Sequence, residues 1–374
     1  MTVRYIRVNP VADLFAPAVR AYGNIAIIGA VTPPATPPAD IAVANQPIAF
    51  TDPGEATRRA PGDLGTAIAL AFAQTPGPTL IYGVRTADGP DWDSALTAVS
   101  SLDVQFVLLA NTPLDATSGA APNGALVKLA DHVTSVSNTG DDGKERMGVA
   151  MLTKGASDPT VVTGTLANER MVYIAHKSDQ DAAAAIAGVI AGYEPQISLL
   201  LKPVNITTGS FTSAEIQAIN GSETFDSGPA GQGVNWLVDP VLIPGHGMYM
   251  GEGYTGNPGG KKYIDIVRTV DNVSFLLKAQ LIKAIGALRI SRSGLRALIA
   301  QMEAVLEPLV RNEVIESYDI VIPILALLDK DPASLTPAEL AEINNAQAQR
   351  VVEVMAALDY VGAIHRLAIT LKFE

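Results

Sequence analysis

Four histidines, one glycine-rich spacing, one acidic cluster and one arginine pair are the residues of this chain whose types could do chemistry. His132, His176, His246 and His365 each stand alone in sequence, without the paired spacing that lets two imidazoles share a metal. His176 follows an apolar run, but no serine or cysteine nucleophile elbow accompanies it. Gly251-Glu-Gly-Tyr-Thr-Gly256 has the spacing of a dinucleotide phosphate loop, in which glycines let the backbone approach a pyrophosphate at a helix N-terminus. Asn257-Pro-Gly-Gly260 follows it, so the segment reads as a continuing turn and not as the start of a helix. Asp141, Asp142 and Glu145 lack the alternation and terminal Glu of a calcium loop and read as solvated charge. The chain has no cysteine, which removes disulfides, thiolate zinc sites and thiol nucleophiles. The expectation is no catalytic set, no cofactor and no metal. Arg292 and Arg296 lie one turn apart, placed either to meet an acidic partner or to face solvent.

Composition narrows the class further. The 374 residues suffice for two or three domains of about 100–200 residues each. Only 17% of residues are charged and mean hydropathy is +0.23, which excludes disorder and favours burial of apolar surface between subunits. Net charge is −12 and no basic block occurs, so nucleic acid is not an expected partner. The first residues lack a charged region followed by an apolar one, and the small apolar run from Ala182 to Gly192 is about half of a membrane span. Assembly in the host cytoplasm, without direct membrane insertion, is the expectation.

The elements that would position these residues alternate in type. Tyr22 to Val31 reads as a buried strand and Pro61 to Phe72 as a helix. Thr79 to Arg85 reads as a strand, Asp93 to Leu102 as a helix and Val104 to Ala110 as a strand. Val172 to Ala175 and the Asp181–Gly192 helix continue the alternation of an α/β layered domain. Ser135 to Lys154 is polar and glycine-rich and reads as an exposed loop. Glycine is dense between Gly228 and Gly260, the expected domain boundary. Beyond it, Val273, Leu276, Leu277, Leu281, Ile285 and Leu288 fall at helical spacing, and a second helix follows until Pro308 kinks or ends it. Tyr318 to Leu325 reads as a strand, at an edge because of Pro323. Thr336-Pro-Ala-Glu339 is a capping-box start for a helix toward Leu358.

Both ends of the sequence carry strand patterns. Val3, Tyr5, Ile6 and Val8 precede Pro10, while Leu367, Ile369, Leu371 and Phe373 share one face of a period-two run. An apolar strand needs a sheet edge. Pairing within the chain and exchange with neighbouring subunits by β-augmentation both supply one.

Lys261-Lys-Tyr-Ile-Asp-Ile-Val-Arg-Thr-Val-Asp271, running into an amphipathic helix, resembles a segment of the tail sheath proteins of contractile phages and related contractile injection systems. Tyr22 to Val31 resembles that family's first core strand. Thr79 to Arg85 with Asp91-Trp-Asp-Ser-Ala-Leu96 resembles the strand and helix that follow, and Ala182 to Pro195 its small-residue helix. The order of these segments, spread over nearly the whole chain, carries the resemblance. It implies an N-terminal arm (1–22), an α/β outer sheath domain (23–255) and an α+β C-terminal inner domain facing a tube (256–374). Residues 1–9 and 363–374 would exchange strands between subunits. The implied partners are other copies in stacked helical rings, an inner tail tube protein, and baseplate and tail terminator proteins. Arg292 and Arg296 become candidates for tube contact. The particle would be a virion tail or a released or cytoplasmic contractile machine. A helix as long as Thr336–Leu358 departs from the family pattern, and the chain is short for large decorating domains. The alternatives are another structural tail or baseplate component, or an α/β enzyme with a converging polar pocket.

Overall fold

The computed structural model describes residues 22–365 apart from 88, 90, 116, 119–123, 139–142, 224–229 and 258–262. The expected exchange strands at Val3, Tyr5, Ile6 and Val8 and at Leu367, Ile369, Leu371 and Phe373 lie outside the described residues, as do Asp141 and Asp142, whereas Glu145, expected as solvated charge, is buried. The chain divides into two compact units. Among the described residues the large one holds 22–272 with 362–365 and the small one 273–361. The division falls inside one helix, whereas the glycine-rich stretch ends earlier, near residue 260.

In the large unit, short apolar runs become strands because both of their faces are covered. In chain order the elements are β1 (Ile25–Gly29), β2 (Pro47–Phe50), α1 (Pro53–Arg59), α2 (Asp63–Phe72), β3 (Ile81–Arg85), α3 (Trp92–Ser100), β4 (Phe106–Leu114) and α4 (Ala125–Asn138). They continue with β5 (Met147–Leu152), β6 (Met171–Ala175), α5 (Ala182–Gly192), β7 (Pro203–Val204), α6 (Ser213–Asn220), β8 (Asn235–Val238) and β9 (Met248–Met250). The first residues of α7 (Ile264–Leu281) complete the unit. The strands form one sheet in the order β2-β3-β1-β4-β5-β6-β8-β9-β7, parallel from β3 to β8, with antiparallel strands at both ends.

Alternate residues of each strand serve two cores. Ile25 and Ile27 join α1, α2 and α5 on one face; Ala26 and Ile28 join α3, α4 and α6 on the other. The small-residue helix α5 is buried along nearly its whole length and lies almost on the backbone of α2. A Cβ on Gly188 would stand 2.4 Å from the Ala71 carbonyl oxygen, so only glycine permits that approach.

The expected loop at Ser135–Lys154 is corrected here. Ser135 to Asn138 finish α4, and Met147–Leu152 is a strand buried at every residue. Its neighbour Arg146 is fully buried as well, because the C-terminus of α3 needs donors for its last carbonyls. The Arg146 guanidinium donates to Val99 O at 3.0 Å, Leu102 O at 2.9 Å and Ser100 O at 3.3 Å. Arg268 on α7 does the same for the end of α5, donating to Tyr193 O at 2.7 Å, and burial draws its guanidinium down to about 10. With Ile264 and Val267 it fixes the start of α7 in the large unit, alongside the Arg170–Asp271 ion pair.

The small unit is built from the remainder of α7, α8 (Arg292–Arg311), β10 (Ile315–Val321), α9 (Pro323–Asp329), α10 (Pro337–Gln349) and β11 (Met355–Tyr360). Three expectations change. Pro308 lies in the last turn of α8, and the helix runs on to Arg311. Pro323 is no edge-strand residue: β10 ends at Val321 and Pro323 opens α9, where its fixed φ and missing N–H cost nothing. The helix opened by the Thr336–Glu339 capping box stops at Gln349, with Arg350 left-handed at φ 58°. Met355–Tyr360, expected as its continuation, is the partner strand of β10.

Candidate assembly interface

The isolated ladder of the small unit begins from alternation on β10. Ile315, Tyr318 and Ile320 turn toward the fully buried Leu306 of α8, in one cluster with Val273 of α7 and Val314. A bulge between Ile315 and Ser317 lets Glu316 and Ser317 both face outward before the alternation resumes. β11 pairs antiparallel beside it, Tyr318 opposite Leu358 and Ile320 opposite Ala356, and Ser317 donates to Asp359 across the strands.

This sheet has two strands among the described residues, and β11 is exposed from Met355 to Asp359. Met355 is 51% exposed and Leu358 36%. Most of its side chains are apolar, and a two-stranded ladder is only marginally stable in water. An apolar strand at an open edge is a template for a further strand. Sequence reading missed β11 because Met, Ala and Leu favour helices; the β-branched Val351 and Val352 before it were the available signal.

The residues weighed for catalysis fall elsewhere and do not converge. In His176, buried between strands, Nε2–H donates to Leu152 O at 3.0 Å and Nδ1 accepts Ser178 N–H at 3.2 Å, so both nitrogens are used. Burial holds its pKa below the usual imidazole range. His132 accepts from Arg146 at 3.4 Å, and burial, with that cation adjoining, lowers it to about 4. His246 is exposed beside Asp239 at 3.4 Å. The glycine-rich spacing at 251–256 serves packing: a Cβ on Gly251 would meet the Trp236 indole at 2.3 Å and one on Gly256 the Tyr173 ring at 2.8 Å. A cleft of 350 Å³ opens at the carboxyl ends of β1, β3 and β4, lined in part by Asp63, Trp92, Asn111 and Thr112. Its described lining includes no histidine, and no group of three or more metal-ligating side chains occurs among the described residues.

No family model matches the chain, and neither does any curated protein. Solved structures do. The helical sheath of the anti-feeding prophage in its contracted state superposes with a TM-score of 0.66 at 12% identity, covering 100% of both chains. The contracted sheath of the extracellular contractile injection system PVC gives 0.67 at 12% identity, covering 100% of this chain and 98% of that one. A sheath tail protein from Listeria innocua gives 0.56 at 8% identity over 84% of this chain and 91% of its own. The chain has the sheath fold.

Within this sheath fold Arg292 and Arg296 sit at the start of α8 and engage their own unit. Arg292 donates to the carbonyls of Leu328 and Lys330, the latter at 3.0 Å, and Arg296 donates to both carboxylate oxygens of Asp329 at 3.1 and 3.2 Å. Together they satisfy the C-terminus of α9, where cations are favoured. Their side chains remain 51% and 65% exposed. No helix among the described residues is long and apolar enough to cross a membrane.

Proposed function

We propose that this chain is the subunit of a contractile sheath, which polymerises helically around an inner tube and shortens to drive that tube through a target envelope. The open two-stranded sheet of the small unit carries the reading. Among the described residues an apolar strand is exposed at an edge, and strands supplied by adjacent subunits relieve that cost. The sheath fold supports the same assignment. Residues 1–9 and 363–374 are the segments with the apolar alternation to supply those strands, through Val3, Tyr5, Ile6 and Val8 and through Leu367, Ile369, Leu371 and Phe373.

In this reading the large unit, with two close-packed cores, moves as a rigid body. Main-chain pairing between subunits keeps the lattice connected while protomers rotate between two metastable packings. The small unit faces the tube, and the half-exposed guanidinium groups of Arg292 and Arg296 meet acidic groups on it. A baseplate triggers contraction and a terminator caps the opposite end. Electron microscopy of the purified full chain tests the assignment: hollow cylinders are expected. Deletion of residues 1–9 or of 366–374 is expected to leave folded protein that forms none. Cylinders from both deletions would refute strand exchange.

A further inference from the structure

Shortly after β11 ends, the chain re-enters the large unit, and His365 is seated there in a polar pocket. Its Nδ1 lies 3.0 Å from Glu252 Oε2 and its Nε2 2.9 Å from Ser198 Oγ, while its ring meets Tyr263 edge-on at 4.8 Å. Three separate segments converge on this one side chain: the turn after β9, the connection from α5 to β7, and the residue that precedes α7. The Glu252 side chain is 1% exposed and that of His365 10%. A carboxylate so enclosed is costly without donors directed at it, and the Nδ1–H of His365 is one such donor. Ser198 Oγ accepts the Leu200 N–H at 3.3 Å and meets Nε2 with its remaining capacity. Ile364, by contrast, is 80% exposed, so this segment is held by a polar pin and not by apolar packing.

We propose that Glu252, Ser198 and Tyr263 form a receptor for His365 that pins the C-terminal segment to the large unit of its own subunit. Residues beyond the pin then reach a neighbouring subunit as a tether of fixed origin. This rests on the strand-exchange reading and adds where the exchanged segment is anchored. Tension in the tether during contraction enters the large unit at Glu252 and does not peel β11 from β10.

Full-length His365→Ala and Glu252→Leu are the test, with circular dichroism and tryptophan fluorescence confirming that each is folded. Limited proteolysis within the segment around residues 362–365 is expected to speed at least about tenfold, the change set by loss of one buried charge-assisted hydrogen bond. The fraction pelleting as cylinders is expected to fall in parallel. His365→Asn, whose amide donor can replace Nδ1–H, should recover part of both. If His365→Ala does not fold, Glu252→Leu is read alone against the same two expectations. A wild-type cleavage rate, or faster cleavage with wild-type assembly, overturns the pin. Deletion of residues 366–374 separates the two ideas: if that protein still assembles, exchange of the C-terminal strand fails and the tether with it. If it does not assemble while His365→Ala does, only the pin fails.

Discussion

Replacing His132 by glutamine should remove a defined part of the acid sensitivity of the large unit. His132 is neutral in the fold because burial and the adjoining Arg146 guanidinium lower its pKa from 6.5 to about 4. The unfolded chain therefore takes up this proton first as pH falls, so the fold loses stability below about pH 6.5 and has lost the full amount near pH 4. A shift of that size corresponds to about 3 kcal/mol when complete, most of it already lost at about pH 4.5. The chain has 2 tryptophans, Trp92 and Trp236, both in the large unit, so fluorescence during urea unfolding reports that unit alone. With an m-value of about 3 kcal/mol/M, the wild-type midpoint should fall by up to about 1 M further than that of His132→Gln between about pH 7.5 and about pH 4.5. Carboxylates common to both proteins cancel in this double difference. Equal falls in the two proteins would refute the assignment of His132 as a buried neutral acceptor of Arg146.

Gly188→Ala should destabilise the large unit by about 1–3 kcal/mol in the same assay, because α2 must retreat from the new Cβ; no change would mean that α5 and α2 pack more loosely than described. Leu358→Lys should alter monomer stability by under about 1 kcal/mol, since the side chain is 36% exposed, yet abolish cylinders in sedimentation by charging the face that an added strand would extend. Arg296→Ala should cost at most about 1 kcal/mol of stability, as an exposed ion pair does. A fall in co-sedimentation with the tube protein well beyond that cost would locate the tube contact; unchanged co-sedimentation would exclude it.

The α/β alternation was legible because the strands at Ile25, Ile81, Phe106 and Met171 are apolar runs bounded by turn residues and flanked by helical periods. β5 was not, since Met147–Leu152 directly follows a polar glycine-rich stretch, and only its place between β4 and β6 buries it. The buried roles of Arg146 and Arg268 were equally hidden. A sequence marks arginine as surface charge, whereas here each guanidinium meets the C-terminus of one helix distant along the chain. In the small unit the start of α10 was readable from its capping box. The end was not, because pairing with β10 overrides the helical propensity of Met355–Leu358. The pocket of His365 left no trace in sequence, for Glu252 lies 113 residues away.

An electron cryomicroscopy map of the assembled cylinder, with side chains resolved around β10 and β11, addresses the account at its centre. Strands from two adjacent protomers should be seen extending the ladder, one from residues 1–9 and one from residues 366–374. A ladder that stays two-stranded in the assembly, or that is completed by the same protomer's own ends, would contradict it.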